Sequence, residues 1–138
     1  MARRPTPDEV VYGKRAAAML LLPTSTWATG TVLFHRYCDY VSKQSGPGGD
    51  IIPAHICILL CLYLATKVTE EPRKYRDIIN VGFKLEHPES DFLPVGPRLD
   101  ALRDTMIQGE LTLVRILGFN VDVELPHVWI ASILYGMA

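Results

Sequence analysis

The sequence predicts an all-α fold in which five helices form one domain around a central buried helix, followed by the start of a sixth helix. Residues 51–65 form an almost unbroken apolar run. Apolar residues elsewhere recur at intervals of three and four, the period of a helix with one buried face. No segment alternates apolar and polar residues over a useful length, although residues 121–125 are a short ambiguous case.

The central helix is predicted within the stretch from Ile51 to Glu71. Between residues 51 and 65, only Pro53 and His55 are not plainly apolar. A helix that is apolar on every side is buried on every side, and this run is shorter than the roughly 20 residues that span a bilayer. The run ends in the charged cluster of residues 67–71, which marks the point where the core meets a candidate functional surface.

Two helices are predicted before the central one. Residues 5–7 open the first helix, with Asp8 and Glu9 in its first turn, and the helix continues to Leu22, where Pro23 ends it. Residues 24–26 offer a hydroxyl N-cap for the second helix. The aromatic stripe on that helix is expected to lie in the core and consists of Trp27, Phe34 and Tyr37. Residues 46–49 form a glycine-rich loop.

Two further helices are predicted after the central one. Pro72 opens the fourth, which extends to residue 83, and residues 87–97 form an irregular connection. The fifth helix covers residues 99–117. Gly109 lies on its apolar stripe, where the missing side chain allows close approach of the central helix. Gly118 is a left-handed C-cap, and Phe119 is the apolar residue that folds back beyond it.

Composition and charge narrow the functional classes. The 138 residues suffice for one domain, 49% are hydrophobic and the formal net charge is −1. This charge favours neither nucleic acid nor an anionic membrane as partner. An odd count of three cysteines predicts no disulfides and fits a reducing, intracellular compartment. Charged residues interrupt any signal peptide at the N-terminus.

Three segments are predicted along the chain. Residues 1–9 are a lead-in, residues 10–124 form the five-helix domain, and residues 125–138 form an extra apolar helix. That last segment is too apolar to be a solvated tail. It is expected to pack on the other helices, bind a partner or introduce a second domain.

Several motifs resemble one family when they are taken in order. They are LATKVTE at 64–70, WATGTVLFHR at 27–36, RDIINV at 76–81, LRD through QGEL to LGF at 102–119, and LPH at 125–127. Together they resemble the first box of the transcription-type cyclins, nearest to cyclin Q with features of cyclin L. The resemblance covers nearly the whole chain and implies a single cyclin box. A second box would need on the order of 100 further residues.

The resemblance implies a kinase-binding site at the end of the third helix. Lys67 and Glu110 match the family's lysine and glutamate, which approach each other and hydrogen-bond to the kinase backbone. The family has two acidic residues after the lysine. Thr69 replaces the first of them, and Glu70 matches the second. The apolar neighbours that match kinase contacts are Leu64, Val68, Val114 and Phe119. Lys14–Ala18 does not reproduce the substrate-docking patch of cell-cycle cyclins, so that activity is not implied.

The implied function is regulation of a kinase rather than catalysis. The chain would bind and activate a cyclin-dependent kinase of the cyclin Q or cyclin L type, with no cofactor and with a nuclear or, secondarily, cytoplasmic location. A kinase-independent adaptor or transcription-factor-like module is one alternative, since the same box occurs in general transcription factors. A truncated cyclin that activates nothing is the other.

Other residue clusters allow competing interpretations. Without the resemblance, Lys67 and Glu110 would be an ordinary surface ion pair. His55, Cys57 and Cys61 could bind a metal, but a fourth ligand is missing and core packing is favoured. A thiol–imidazole pair at His35 and Cys38 is a distant possibility for catalysis. The cluster of Arg73, Lys74 and Arg76 is either a solvated face or a site for a phosphorylated kinase loop.

Overall fold

The computed structural model describes residues 4–43, 52–89 and 96–118. These residues form five α-helices and no strand. The helices are α1 (Pro7–Met19), α2 (Thr24–Lys43), α3 (Ala54–Val68), α4 (Tyr75–Glu86) and α5 (Pro97–Ile116). The predicted all-α class is therefore confirmed. Within the described ranges, no helix has the length and apolar character needed to cross a membrane.

Helix α3 is the centre of the domain, and it contacts each of the other four helices. Its side chains from Cys57 to Leu62 are all buried, and Leu60 and Ala65 are fully inaccessible. The apolar stripe of α2 packs against it through Leu33, Phe34 and Tyr37, while Trp27 is partly buried. Burial on nearly every side explains why α3 carries so few polar residues.

The prediction that His55 belongs to the core is wrong. Its side chain lies in the first turn of α3 and is 53% exposed. The imidazole stacks on the Tyr12 ring at a centroid distance of 4.4 Å, and its Nδ1 lies 3.3 Å from Glu86 Oε1. The first turn of α3 emerges between α1 and α4, so a polar side chain can reach solvent there.

Two glycines behave as the sequence predicts. A Cβ atom added to Gly109 would lie 2.8 Å from Leu60 Cδ1, so the bare backbone of α5 approaches α3 closely. Gly118 has a φ of 66° directly beyond the end of α5. This left-handed conformation costs glycine little and other residues more.

The end of α1 and the start of α4 both differ from their predicted positions. Helix α1 ends at Met19 rather than Leu22, because Leu21 adopts a left-handed φ of 56° and reverses the chain. Helix α4 begins at Tyr75 rather than Pro72. Arg73 lies in the intervening turn and donates through Nε to the Leu20 carbonyl at 3.1 Å. A carbonyl group left unpaired at a helix end is thereby satisfied.

Tyr37 connects α2 to the chain that enters α3. Its fully buried hydroxyl donates to the Ile52 carbonyl and accepts from the Ile52 amide, each at 2.9 Å. Ile52 precedes the N-cap of α3 and is itself 5% exposed. One side chain thus supplies hydrogen bonds that no helix offers to this buried backbone.

Several predictions lie outside the described residues. They concern the loop at 46–49, part of the connection at 87–97, Phe119, the ambiguous stretch at 121–125 and the apolar segment at 125–138. The three-segment division of the chain accordingly stays a prediction.

Candidate functional site

Lys67 and Glu110, 43 positions apart in the sequence, meet in the structure. Lys67 is in the last turn of α3 and Glu110 is on α5. The Lys67 Nζ donates to Glu110 Oε1 at 2.9 Å. The lysine side chain is 48% exposed and that of the glutamate is 17% exposed. Gly109, the residue before Glu110, lies where α5 approaches α3 closely at Leu60.

Two tyrosines support the pair. The Tyr75 hydroxyl, at the start of α4, donates to Glu110 Oε2. The Lys67 Nζ lies 4.5 Å from the centroid of the Tyr63 ring, a cation–π geometry. The two tyrosine rings stack on each other at a centroid distance of 4.2 Å. Sequence reasoning missed both residues, although Tyr63 precedes Lys67 by four positions and so shares its helix face.

The charge of Lys67 is favoured at this site. Partial burial lowers the pKa of Lys67, but the hydrogen bond and the negative charge of Glu110 oppose this and raise it above its ordinary value overall. The ammonium group therefore stays protonated throughout the physiological range. A protonated amine on a half-exposed side chain can still donate hydrogen bonds to a partner.

The backbone beyond Lys67 turns sharply. The Glu71 amide donates to the Thr66 carbonyl at 2.8 Å and the Glu70 amide to the Lys67 carbonyl at 3.3 Å. These two bonds form a Schellman motif. Glu70 occupies its left-handed position with a φ of 58° and is exposed. Glycine usually takes this position, so Glu70 is held there at a conformational cost.

Thr69, which departs from the family motif, has a structural role. Its hydroxyl donates to the Ala65 carbonyl at 2.8 Å and shares a 2.7 Å hydrogen bond with the hydroxyl of Thr26. Thr26 is fully buried in the first turn of α2. The substitution therefore connects the end of α3 to the start of α2.

The predicted apolar contacts are not equally accessible. Leu64 is 5% exposed and belongs to the core, so in this conformation it supports the site from beneath. Val68 and Val114 are partly buried and border the pair. Leu111, which follows Glu110 and was not predicted, is 52% exposed. Phe119 lies outside the described residues. Among the described apolar residues named here, Val68, Leu111 and Val114 are at least partly accessible.

The competing clusters do not form comparable sites. Cys57 and Cys61 are buried in the core, whereas His55 is exposed. His35 is exposed while Cys38 is 1% exposed, so an accessible thiol–imidazole pair is not formed.

The basic cluster is divided by the fold. The Arg73 guanidinium is used internally, donating to the backbone carbonyl of Leu20, just beyond α1, and to those of residues 71 and 72. Lys74 and Arg76 are exposed. They line a cleft together with Arg103 of α5, which sequence reasoning did not connect to them.

No family model matches the chain. It is 36% identical over 118 residues to Cyclin-L2 of Mus musculus and to Cyclin-L1 of Gallus gallus, and 35% identical over 116 residues to Cyclin-L1 of Homo sapiens. Each alignment covers 81% of this chain. The chain spans only 21% of the length of each of these relatives.

Proposed function

Because the chain belongs to the cyclin family and is similar to the transcription-type L cyclins, we propose that it binds and activates a cyclin-dependent kinase of the transcription-associated group. In this role the chain is a regulatory subunit and performs no catalysis itself. A nuclear location goes with the same proposal. The stronger likeness to cyclin Q, expected from residues 102–119, stays a prediction.

The observation that carries the proposal is the Lys67–Glu110 pair at the end of the central helix. A protein kinase transfers phosphate only when the glutamate of its regulatory helix pairs with a strand lysine. A partner that binds this arrangement more tightly than the inactive one shifts the kinase toward activity. Moving a population from 1:99 to 99:1 takes about 5.5 kcal/mol of differential binding.

The site can supply part of that difference through hydrogen bonds. Lys67 carries donors and Glu110 carries acceptors, and both are charged, so their bonds to a kinase backbone are stronger than neutral ones. Val68, Leu111 and Val114 add apolar area beside them. Burial of such area contributes roughly 25 cal/mol per Å².

Co-expression with a panel of cyclin-dependent kinases tests the proposal. The complexes are separated by size-exclusion chromatography and assayed for phosphorylation of a generic substrate. A stoichiometric, active complex with one kinase supports the proposed role. A monodisperse chain that binds no kinase in the panel contradicts it and favours a kinase-independent adaptor, whereas a complex without activity favours a non-activating cyclin.

Two variants test the site itself. Lys67→Ala or Glu110→Ala is expected to abolish kinase activation with little change in melting temperature, since a partly exposed ion pair contributes about 0–1 kcal/mol. Lys43→Ala is the matched control, because Lys43 pairs with Asp39 at 3.0 Å on the exposed surface of α2. Unfolding of either site variant would show that the pair is structural instead.

A further inference from the structure

We propose that Tyr75 is a positioning residue for the Lys67–Glu110 pair, fixing the glutamate before a kinase binds. This inference rests on the proposed kinase-binding function. It adds α4 to a site that the family resemblance places on α3 and α5. Tyr75 lies at the first position of α4, where the chain has just turned away from the end of α3.

Glu110 is held by two separate helices. Its two carboxylate oxygens bond to different helices, Oε1 to Lys67 on α3 and Oε2 to Tyr75 on α4. A carboxylate with one partner can rotate about the last bond of the side chain, because the preferred values of that torsion angle are spread over a broad range. With two donors on separate elements, its plane and position are both determined. The low exposure of the side chain, 17%, leaves little room for another arrangement.

Lys67 is supported by aromatic rings. The Tyr63 ring stacks on the Tyr75 ring, and the Lys67 ammonium lies 4.5 Å from the centroid of the same Tyr63 ring. A long lysine side chain ordinarily loses rotamer freedom when it binds a partner, at a cost of about 0.5–1.5 kcal/mol. Here the stacked rings and Glu110 restrict the amine in the free chain already.

These contacts fix the geometry of the Lys67–Glu110 pair before a kinase binds. Functional groups held by a surrounding shell of contacts bind more tightly than mobile ones, because less order has to be created on binding. Loss of the Tyr75 hydroxyl should therefore weaken kinase binding through Glu110, even though the ring and its stacking on Tyr63 remain. The expected loss is about three- to tenfold in Kd.

The first test uses the free chain. NMR of ¹⁵N-labelled lysine ammonium groups should resolve Lys67 as a slowly exchanging signal, whereas Lys43, whose side chain is 74% exposed, should exchange with water too fast to be seen. Tyr75→Phe should remove the Lys67 signal, and Tyr40→Phe on α2 should leave it unchanged. A Lys67 signal that persists in Tyr75→Phe overturns the proposal whether or not any kinase binds.

The second test is a double-mutant cycle against the kinase recovered from the co-expression panel. Tyr75→Phe should weaken binding in the wild-type background and have no further effect in the Glu110→Ala background. Equal losses in both backgrounds, no loss in either, or a variant that fails to fold would each refute positioning through Glu110. If the wild-type chain binds no kinase, the proposed function fails, while the NMR result still decides whether Tyr75 fixes the pair.

Discussion

Tyr37→Phe is the substitution that should most clearly separate a hydroxyl's hydrogen bonding from its ring packing. The ring fills the core between α2 and α3 and is kept by phenylalanine, so no cavity forms. The hydroxyl is lost, and with it both bonds to Ile52. The amide and carbonyl of Ile52 are then left in a buried position without the partner that satisfied them.

The magnitude follows from these two groups. An unsatisfied buried donor or acceptor costs about 1–3 kcal/mol. Partial relaxation toward solvent lowers the sum, so we expect a loss of about 2–4 kcal/mol in the free energy of unfolding. For a domain of this size, each kcal/mol corresponds to about 3–5 °C in melting temperature, which predicts a fall of about 6–20 °C.

Thermal unfolding followed by circular dichroism measures this loss. Tyr40→Phe is the matched control, since Tyr40 lies on the same helix and its side chain is 37% exposed. It should melt within a degree or two of the wild type. A fall for Tyr37→Phe of less than about 2 °C would show that the Ile52 backbone finds other partners, and the reasoning from buried unsatisfied groups would be refuted.

Four further outcomes are expected from three side chains, Tyr12, Glu70 and Arg73. The Tyr12 hydroxyl is buried without a hydrogen-bond partner among the described residues, so Tyr12→Phe should leave stability unchanged or raise it, as measured by urea unfolding. Burial, and secondarily the charge of Glu86, raise the pKa of Tyr12 to about 12. The phenol of the unfolded chain ionises near pH 10. Between pH 10 and 12 the unfolded chain therefore releases this proton while the folded chain keeps it, and the free energy of unfolding falls as the pH rises. Unfolding measured across this window should show a larger loss in the wild type than in Tyr12→Phe. Glu70→Gly should stabilise the domain by up to about 1 kcal/mol by relieving the left-handed backbone, whereas Glu70→Ala should not; equal melting temperatures for the two would contradict this. Arg73→Gln should cost about 1–3 kcal/mol through its lost carbonyl contacts, and the exposed Arg76→Gln should cost almost nothing; similar losses would show that charge, not capping, matters.

The sequence was informative wherever one local property decides the structure. Helical periodicity and the apolar run predicted five helices and the central position of α3. Gly109 was predicted as a close approach and Gly118 as a cap because a missing Cβ has few other uses at those positions. The Lys67–Glu110 pair came from the family resemblance, since residues 43 apart leave no local signal of their contact.

The errors arose where contacts between distant segments decide the outcome. Nothing in the composition around Leu21 indicates a left-handed residue. The Leu21 carbonyl accepts a hydrogen bond from Arg73, which lies 52 residues further along the chain. His55 lies in an apolar run, yet the packing of α1 and α4 leaves its side chain half exposed. Tyr75 reaches Glu110 only through the turn between α3 and α4, which no periodicity encodes.

The buried cysteines allow transient opening of the helical core to be measured by thiol labelling. All three thiols of the chain, Cys38, Cys57 and Cys61, lie at 1% exposure or less on the two helices that pack most extensively. A thiolate must be accessible to react, so an alkylating reagent can label these positions only when the helices that cover them separate. The rate of labelling under native conditions would therefore report how often the core opens. A bound partner that stabilises α3 would slow the labelling without contacting any sulfur atom.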